Sequence, residues 1–279
     1  MPGDLAGRAF LVTGGSTGIG LATATSLAAR GGRVCITSRS VARGQAAVAG
    51  IAAATGNAEV SFLQLDLADL ASVRRSAQEF LDRGGPLHVL INNAGLAGRR
   101  GLTADGFELA FGVNHLGTFA FTTALLDRLA SSGPARVVTV SSDAHYAAKG
   151  IDFTTVRRRT RSITGLPEYQ VSKLGNVLFS QELARRLAGT GVTSYALHPG
   201  VVASDIWRRV PWPARPLVTR RMLSTGDGAL TSLYCATSPD VAGDSGLFYD
   251  QCQPRPASPR ATPGLGGALW EQSEAWIGA

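Results

Sequence analysis

Cysteine is scarce in this chain, and its three cysteines lie far apart in the sequence. Cys35, Cys235 and Cys252 are odd in number and show none of the paired spacings that metal sites use. This excludes a disulfide-stabilised secreted scaffold and a cysteine-based zinc site. The sequence therefore predicts reduced thiols, an intracellular compartment and no metal ion.

Long apolar runs are also missing. The most apolar run after the first strand, residues 116–126, is too short to span a bilayer and contains threonines. A strand pattern begins by residue 9, which leaves no room for a signal peptide or an N-terminal anchor helix. We therefore expect a soluble, cytoplasmic protein without a membrane span.

Lysine is nearly absent, since Lys149 and Lys173 are the only lysines among 27 basic residues. The net charge is nevertheless +7, and the apolar content of 44% is ample for a core. A basic balance suits a ligand that carries phosphate, and it also raises nucleic acid as a partner. Because the chain has no nucleic-acid-binding motif, we predict no such partner. The Arg-rich stretch at 157–161 remains the one feature that favours it.

Residues 9–20 organise the rest of the chain. They read Ala-Phe-Leu-Val-Thr-Gly-Gly-Ser-Thr-Gly-Ile-Gly, a strand that passes through a glycine-rich turn into a helix. Unpaired N–H groups and the helix dipole make such a helix start an anion site. Gly14 permits the turn, Gly18 lets a pyrophosphate approach, and Gly20 lets helix pack on strand. The stretch predicts dinucleotide binding, with a glycine-rich loop that binds nothing as the alternative.

Strand and helix patterns alternate along the chain. Strands are predicted at 9–13, 33–38, 59–65, 87–91, 136–140, 193–198 and 247–249, and helices at 19–30, 41–54, 70–81, 103–129, 168–188, 227–237 and 268–276. This alternation predicts an α/β fold: a single-domain, Rossmann-type, doubly wound parallel sheet of about seven strands with helices on both faces. The domain, 1–279, includes a loop at 143–167, a substrate-covering segment at 201–225 and a tail at 251–279.

Small, amide and hydroxyl residues follow several of these strands at their C-terminal ends. Asp66 follows the third strand, residues 92–95 (Asn-Asn-Ala-Gly) the fourth, Ser142 the fifth, and Pro199-Gly200 the sixth. Open α/β sheets bind ligands at this edge. The shared position therefore predicts one site there.

The second strand indicates which cofactor is preferred. Ser38 stands where an aspartate would bind the 2′-hydroxyl of NAD, and Arg39 follows it. An arginine there suits the 2′-phosphate of NADP, although a solvated surface arginine would look the same in sequence. We predict NADP(H), preferred over NAD(H).

Three further residues carry the predicted chemistry. Asn114 lies in an apolar helix pattern, where asparagine competes with helix hydrogen bonding. Tyr169 and Lys173 are four residues apart and share a helix face. A tyrosine with a pKa of ~10 is a poor base, but a nearby ammonium lowers that pKa. We therefore expect Lys173 to lower the pKa of Tyr169; an ordinary surface pair and a satisfied polar asparagine are the alternatives.

Taken in order, these motifs resemble the short-chain dehydrogenase/reductase family. The matching residues are Thr13-Gly14-x-x-x-Gly18-Ile19-Gly20, Asn92-Asn93-Ala94-Gly95, Asn114, Ser142, Tyr169-x-x-x-Lys173 and Pro199-Gly200. The runs at 113–117, 174–187 and 198–202 are similar to the retinol-dehydrogenase-like branch of that family, as is Leu269-Trp270 in the tail.

The resemblance implies a role for each residue of a catalytic set. Tyr169 would exchange a proton with the substrate oxygen, and Ser142 would polarise the carbonyl. Lys173 would hold the nicotinamide ribose, and Asn114 would support a relay water and a helix bend. The implied cofactor contacts are Gly14, Ser16, Thr17, Gly18, Ile19, Gly20, Arg39, Asp66, Leu67, Asn93, Ala94, Gly95, Tyr169, Lys173, Pro199, Gly200, Val202 and Ser204. Pairing through helices near 103–130 and 168–188, as in the family, would give a homodimer or homotetramer.

The sequence thus predicts an NADP(H)-dependent oxidoreductase that interconverts an alcohol and a carbonyl on a lipophilic small molecule, such as a retinal-like aldehyde or a ketone. A secondary-metabolite ketoreductase and an NADP(H)-binding regulator without turnover are the alternatives. The histidines His115, His145 and His198 are expected to be structural. The tryptophans Trp207, Trp212, Trp270 and Trp276 fit either an apolar substrate pocket or core packing.

Overall fold

The computed structural model describes residues 3–200 and 224–278, which contain one eight-stranded sheet. The strands are β1 Ala9–Val12, β2 Arg33–Ser38, β3 Val60–Gln64, β4 Val89–Asn92, β5 Ala135–Val140, β6 Val192–His198, β7 Phe248–Asp250 and β8 Gln253–Arg255. Their spatial order is β3-β2-β1-β4-β5-β6-β7-β8. All neighbours pair in parallel except β7 and β8, which are antiparallel. The predicted doubly wound parallel sheet is confirmed.

Helices flank this sheet on both faces. They are α1 Gly18–Ala29, α2 Val41–Thr55, α3 Leu70–Asp82, α4 Leu109–Phe111, α5 Thr118–Ala124, α6 Leu126–Ala130, α7 Leu166–Arg186, α8 Thr225–Thr237 and α9 Pro263–Ile277. Apolar residues of α1, α2 and α8 form the core on one face, and those of α3, α5, α7 and α9 form it on the other. Because both faces are covered, the central strands read as nearly continuous apolar runs.

The strand β8 was not predicted. It follows β7 through a tight turn in which Gln251 and Cys252 have positive φ values of 49° and 62°. All three residues of Gln253–Arg255 are exposed, so the strand carries no buried alternation that sequence could reveal. It was therefore assigned to the irregular tail.

The predicted helix at 103–129 is wrong in its first part and in its continuity. Residues 103–108 are not helical, and Leu102 forms an antiparallel bridge with Glu108. Residues Gly112–Gly117 then form a π-helical segment between α4 and α5. Such π segments insert a residue into the α-helical ladder and occur frequently at functional sites. This segment contains Asn114.

The loop predicted at 143–167 contains more regular structure than expected. Asp143–Ala147 and Thr155–Arg157 form 3₁₀ helices, and α7 begins at Leu166. Most of the predicted substrate-covering segment, residues 201–223, lies outside the described residues, and with it Val202, Ser204, Trp207 and Trp212.

The C-terminal helix α9 packs on α7 and the π segment. Trp270 is buried and stacks on Phe179 with ring centroids 5.9 Å apart, while Trp276 meets Phe107 edge-on at 5.2 Å. Both tryptophans therefore belong to the core rather than to a substrate pocket.

The predicted homo-oligomer would have to use those parts of the helices near 103–130 and 168–188 that α9 leaves uncovered.

His115 is structural, as expected. It is buried, and its Nε2 lies 3.0 Å from the Ser273 hydroxyl of α9. Burial lowers the pKa of His115 to about 3, so the ring is neutral at physiological pH.

Within the described ranges, no helix is both long and apolar enough to cross a membrane.

Candidate active site

The turn between β1 and α1 forms an open cradle. Gly14 and Gly18 have left-handed φ values of 66° and 57°, and nothing lies within 4 Å of where a side chain on Gly18 would begin. Thr17 precedes α1 without making a side-chain cap, and the first turn of α1 holds no acidic residue. The positive end of α1 therefore faces open space, which suits an anion such as a pyrophosphate.

Gly20 has a different role in the same turn. A Cβ at this position would collide with the carbonyl oxygen of Gly14 and with Nδ2 of Asn93. The close packing of α1 on the turn therefore requires glycine here.

This packing predicts a stability effect. We expect Gly20→Ala to lower the free energy of unfolding by about 1–3 kcal/mol, because the colliding groups are backbone and a tethered amide. Gly50→Ala is the matched control, since Gly50 is exposed in α2 with no atom near its missing Cβ. The free energy of unfolding of Gly50→Ala should rise by about 0.5–1 kcal/mol. Urea unfolding measures both, and a Gly20→Ala protein as stable as wild type would contradict the packing.

One cavity of ≈ 270 Å³ runs from this turn along the C-terminal edge of the sheet. It gathers predicted cofactor residues from the loops that follow four strands, β1 to β4: Gly14, Ser16, Thr17, Gly18, Ile19, Gly20, Arg39, Asp66, Leu67, Asn93, Ala94 and Gly95. It also includes residues that sequence reasoning left out of the predicted contacts: Ser38, Arg43, Leu65, Leu96 and Val113. Four of the predicted cofactor contacts in the described residues are not part of the cavity lining: Tyr169 and Lys173 on α7, and Pro199 and Gly200 after β6.

The end of the cavity beyond β2 is positively charged. Arg39 lies at the end of β2, and Arg43 lies one turn into α2, so both guanidinium groups border the cavity. In the part of the chain that the structure describes, neither makes an ion pair. Arg43 was missed, although it stands in the first turn of the helix that follows Arg39.

Hydrogen bonds fix the loop after β4 against β1. The Thr13 hydroxyl accepts the N–H groups of Asn93 and Ala94, each at 3.0 Å. The Asn93 amide donates to the Thr13 carbonyl at 2.8 Å. The Asn-Asn-Ala-Gly motif therefore holds the floor of the cavity in one conformation.

Asn114 connects that loop to α7. Its side chain exchanges two hydrogen bonds with the backbone of Leu96, at 2.8 and 2.9 Å, and donates to the Ser172 hydroxyl at 2.9 Å. Asn114 is fully buried. The predicted polar residue in an apolar helix is thus satisfied by a neighbouring loop and by α7.

Lys173 is held at the back of the site. Its Nζ donates to the Val140 carbonyl at 2.8 Å and lies 3.6 Å from where a Cβ on Gly95 would sit. The Ser141 hydroxyl donates to the Lys173 carbonyl at 2.8 Å, which ties α7 to the end of β5. Burial lowers the pKa of Lys173 to about 7.

This shift predicts a pH dependence of stability. A lysine in the unfolded chain has a pKa of about 10.4, so between pH 7 and that value the unfolded state binds more protons than the folded state. The contribution of Lys173 to stability therefore rises with pH across this window and is lowest below pH 7. We therefore compare the free energies of unfolding of Lys173→Met and wild type. The value for the variant minus the value for wild type should fall as the pH rises from about 7 to about 10. A difference that stays constant with pH in urea unfolding would contradict the shift.

Tyr169 stands one turn before Lys173 on α7 and is hydrogen-bonded to Ser142. The Lys173 Nζ lies 5.6 Å from the centre of the Tyr169 ring. Burial raises the pKa of the phenol above its usual value of 10, and the Ser142 hydrogen bond opposes that rise. The expected lowering by Lys173 is therefore not found, because desolvation outweighs the other effects and Lys173 is itself only weakly held in its charged form.

His145 joins Ser142 to the C-terminal tail. Its Nδ1 lies 2.7 Å from the Ser142 carbonyl, and its Nε2 accepts the Ser258 N–H at 3.1 Å. Donation from Nδ1 to a carbonyl and acceptance at Nε2 together fix the neutral tautomer. His145 is fully buried, and desolvation lowers its pKa. It is structural, as expected, but what it supports is the backbone of the site.

A glycine-rich cavity and a serine, a tyrosine and a lysine thus lie at the same edge of the sheet. This combination of fold and site defines a dinucleotide-dependent oxidoreductase of the Rossmann type.

Comparisons with known proteins agree with this class. A family model described as short chain dehydrogenase matches residues 8–212. Retinol dehydrogenase 12 of Mus musculus is 45% identical over 264 residues, which cover 92% of this chain and 82% of that protein. An uncharacterized protein from Mycobacterium Paratuberculosis has a similar structure, with TM-score 0.78, 35% identity and coverage of 99% and 95%. A short chain dehydrogenase from Burkholderia cenocepacia J2315, solved in complex with NADP, gives TM-score 0.70 and 30% identity, covering 88% of this chain and 96% of that one. The chain belongs to the short-chain dehydrogenase/reductase family, in its retinol-dehydrogenase-like branch.

Proposed function

We propose that the protein is an NADP(H)-dependent oxidoreductase that interconverts an alcohol and a carbonyl group on a lipophilic small molecule. The observation that carries this proposal is the placement of Tyr169 beside Ser142 and of Lys173 next to Gly95, a residue of the cavity lining. The relatives named above as retinol dehydrogenases support a lipophilic substrate, such as a retinal-like aldehyde or another aldehyde or ketone.

The residues of the cavity fit the phosphate groups of such a cofactor. The free N-terminus of α1 and the open face of Gly18 would receive the pyrophosphate. Arg39 and Arg43 would bind the 2′-phosphate, since two guanidinium groups and a serine in place of an acid favour a dianion. When bound, NADPH supplies the hydride; the protein supplies its position and the proton.

Tyr169 is the proposed proton donor. Its raised pKa keeps the phenol protonated at neutral pH, which is the form that a reduction requires. Ser142 would donate a hydrogen bond to the substrate oxygen and polarise the carbonyl.

Lys173 and Asn114 are the proposed supports of this pair. A Lys173 ammonium with a pKa of about 7 is poised to lose and regain a proton near neutral pH. Asn114 keeps α7 and the loop after β4 at a fixed separation through Ser172 and Leu96. Their side chains would hold the nicotinamide end between β4 and α7.

The experiment that tests this proposal is the consumption of NADPH with a panel of lipophilic aldehydes and ketones, read by loss of NADPH absorbance. We expect turnover with at least one apolar carbonyl compound. Tight NADPH binding without turnover across the panel would instead favour the alternative, a cofactor-binding regulator of the same fold.

A further inference from the structure

The side of the molecule next to Tyr169 presents arginines and apolar side chains together. We call the surface formed by residues 98–105 and 157–168 the entrance patch. It contains six arginines: Arg99, Arg100, Arg157, Arg158, Arg159 and Arg161. It contains two carboxylates, Asp105 and Glu168, so its net charge is +4. All six arginines are exposed, and none pairs with a carboxylate of the described residues.

Three large apolar side chains project from the same surface. Ile163 is 89% exposed, Leu166 49% and Leu102 46%. They are half of the six exposed large hydrophobic residues in the described chain. Isolated exposed leucines need no explanation, but an isoleucine that is 89% exposed, in a segment that contains four exposed arginines, does.

Internal contacts hold the two segments of the patch together. The Gly101 N–H donates to the buried Thr160 hydroxyl at 3.0 Å, and a Cβ on Gly165 would lie 3.0 Å from the Arg99 carbonyl. The Glu168 carboxylate accepts the backbone N–H groups of Arg161 and Ser162 at 3.0 and 2.9 Å. The segment 157–168 is therefore fixed in shape. The Glu168 carboxylate is hydrogen-bonded within this segment rather than paired with an arginine.

Both carboxylates are thus engaged internally, since Asp105 accepts the Leu70 N–H at 2.9 Å. Arg157 lies over the Phe107 ring, with its guanidinium carbon 4.3 Å from the ring centre, and the charge of the other five arginines is left to face outward. A partner for this surface must supply negative charge to the arginines and an apolar layer for Ile163.

We propose that the entrance patch docks on an anionic lipid membrane surface. Headgroup phosphates and carboxylates match the six arginines, and the acyl boundary receives Ile163, Leu166 and Leu102. Duplex nucleic acid would use the arginines but leaves the apolar side chains in water, and the described patch has no exposed aromatic ring for stacking on bases. Leu166 is the first residue of α7 and Tyr169 lies one turn later, so docking would place the mouth of the site against the lipid.

The test is vesicle flotation of the full chain, with phosphatidylcholine vesicles that do or do not contain about 30% phosphatidylserine. We expect flotation only with phosphatidylserine, weakened by salt. Arg158→Gln with Arg159→Gln should lower partitioning about 25-fold, since each basic residue near such a surface contributes roughly fivefold. Ile163→Asp should lower it about tenfold.

Matched controls separate the patch from general basicity. Arg74→Gln with Arg75→Gln changes two exposed arginines of α3, and Leu230→Asp changes a leucine of α8 that is 55% exposed. Neither should change flotation, and circular dichroism checks that every variant is folded. Equal flotation with both vesicle types, or equal losses in the controls and the patch variants, would overturn the proposal. Competition by duplex DNA together with an unaffected Ile163→Asp would overturn it in favour of nucleic acid. The assay uses no cofactor, so its failure is distinct from a failure of the proposed activity.

Discussion

Tyr169→Phe should lower turnover by about 10²–10⁴-fold and leave the dissociation constant for NADPH unchanged. The substitution removes one oxygen, the proposed proton donor, and keeps the ring that packs beside Lys173. General acid catalysis by a positioned side chain contributes a factor of this size. Steady-state kinetics with the best substrate of the carbonyl panel and a fluorescence titration with NADPH measure the two quantities.

Tyr234→Phe is the matched control for that experiment. Tyr234 lies on α8, partly buried beside Tyr249 on the other face of the sheet. The Tyr234→Phe substitution removes the same phenol oxygen, but far from the proposed chemistry. This variant should therefore keep full turnover. Retained turnover in Tyr169→Phe would contradict the proposed mechanism, whereas equal losses in both variants would indicate a general loss of structure.

Arg39→Asp should reverse the cofactor preference. We expect the dissociation constant for NADPH to rise about 100-fold while that for NADH changes little or improves, because the substitution removes a charged hydrogen bond to the 2′-phosphate and adds an acceptor for a ribose hydroxyl. Arg43→Gln should raise the dissociation constant for NADPH by a smaller factor of about 10. Titration of each protein with both cofactors measures the preference.

Arg74→Asp is the control for the change of charge. Arg74 is exposed on α3 and lies outside the cavity, so this variant should keep the wild-type preference. An unchanged ratio of NADPH to NADH affinity in Arg39→Asp would contradict the assignment of the positively charged end of the cavity to the 2′-phosphate.

The features that sequence could predict are those fixed by local physics. The central strands are buried on both faces, so each reads as a short apolar run, and the glycines at 14, 18 and 20 are required by the turn geometry and packing of one loop. The cavity then follows, because the C-terminal ends of parallel strands meet at one edge of the sheet. Twelve of the predicted cofactor residues line it.

The features that sequence could not predict depend on contacts between distant segments. The π segment at Gly112–Gly117 is bonded to the loop after β4 through Asn114, and no local pattern announces it. The buried positions of Trp270 and Trp276 depend on α9 meeting α7 and the π segment. The sign of the Tyr169 pKa shift depends on how deeply α7 buries the phenol, which spacing alone does not give.

The central claim is that this chain directs a hydride from NADPH to a lipophilic carbonyl carbon. The most direct measurement is a turnover with NADPH that carries deuterium at the nicotinamide C4 position, in either stereochemical form, followed by mass spectrometry of the alcohol. We predict one deuterium at the carbinol carbon from one of the two labelled forms, and about 10²–10⁴-fold slower formation of that labelled alcohol with Tyr169→Phe. Alcohol without deuterium from either form, or tight NADPH binding with no alcohol at all, would contradict the claim.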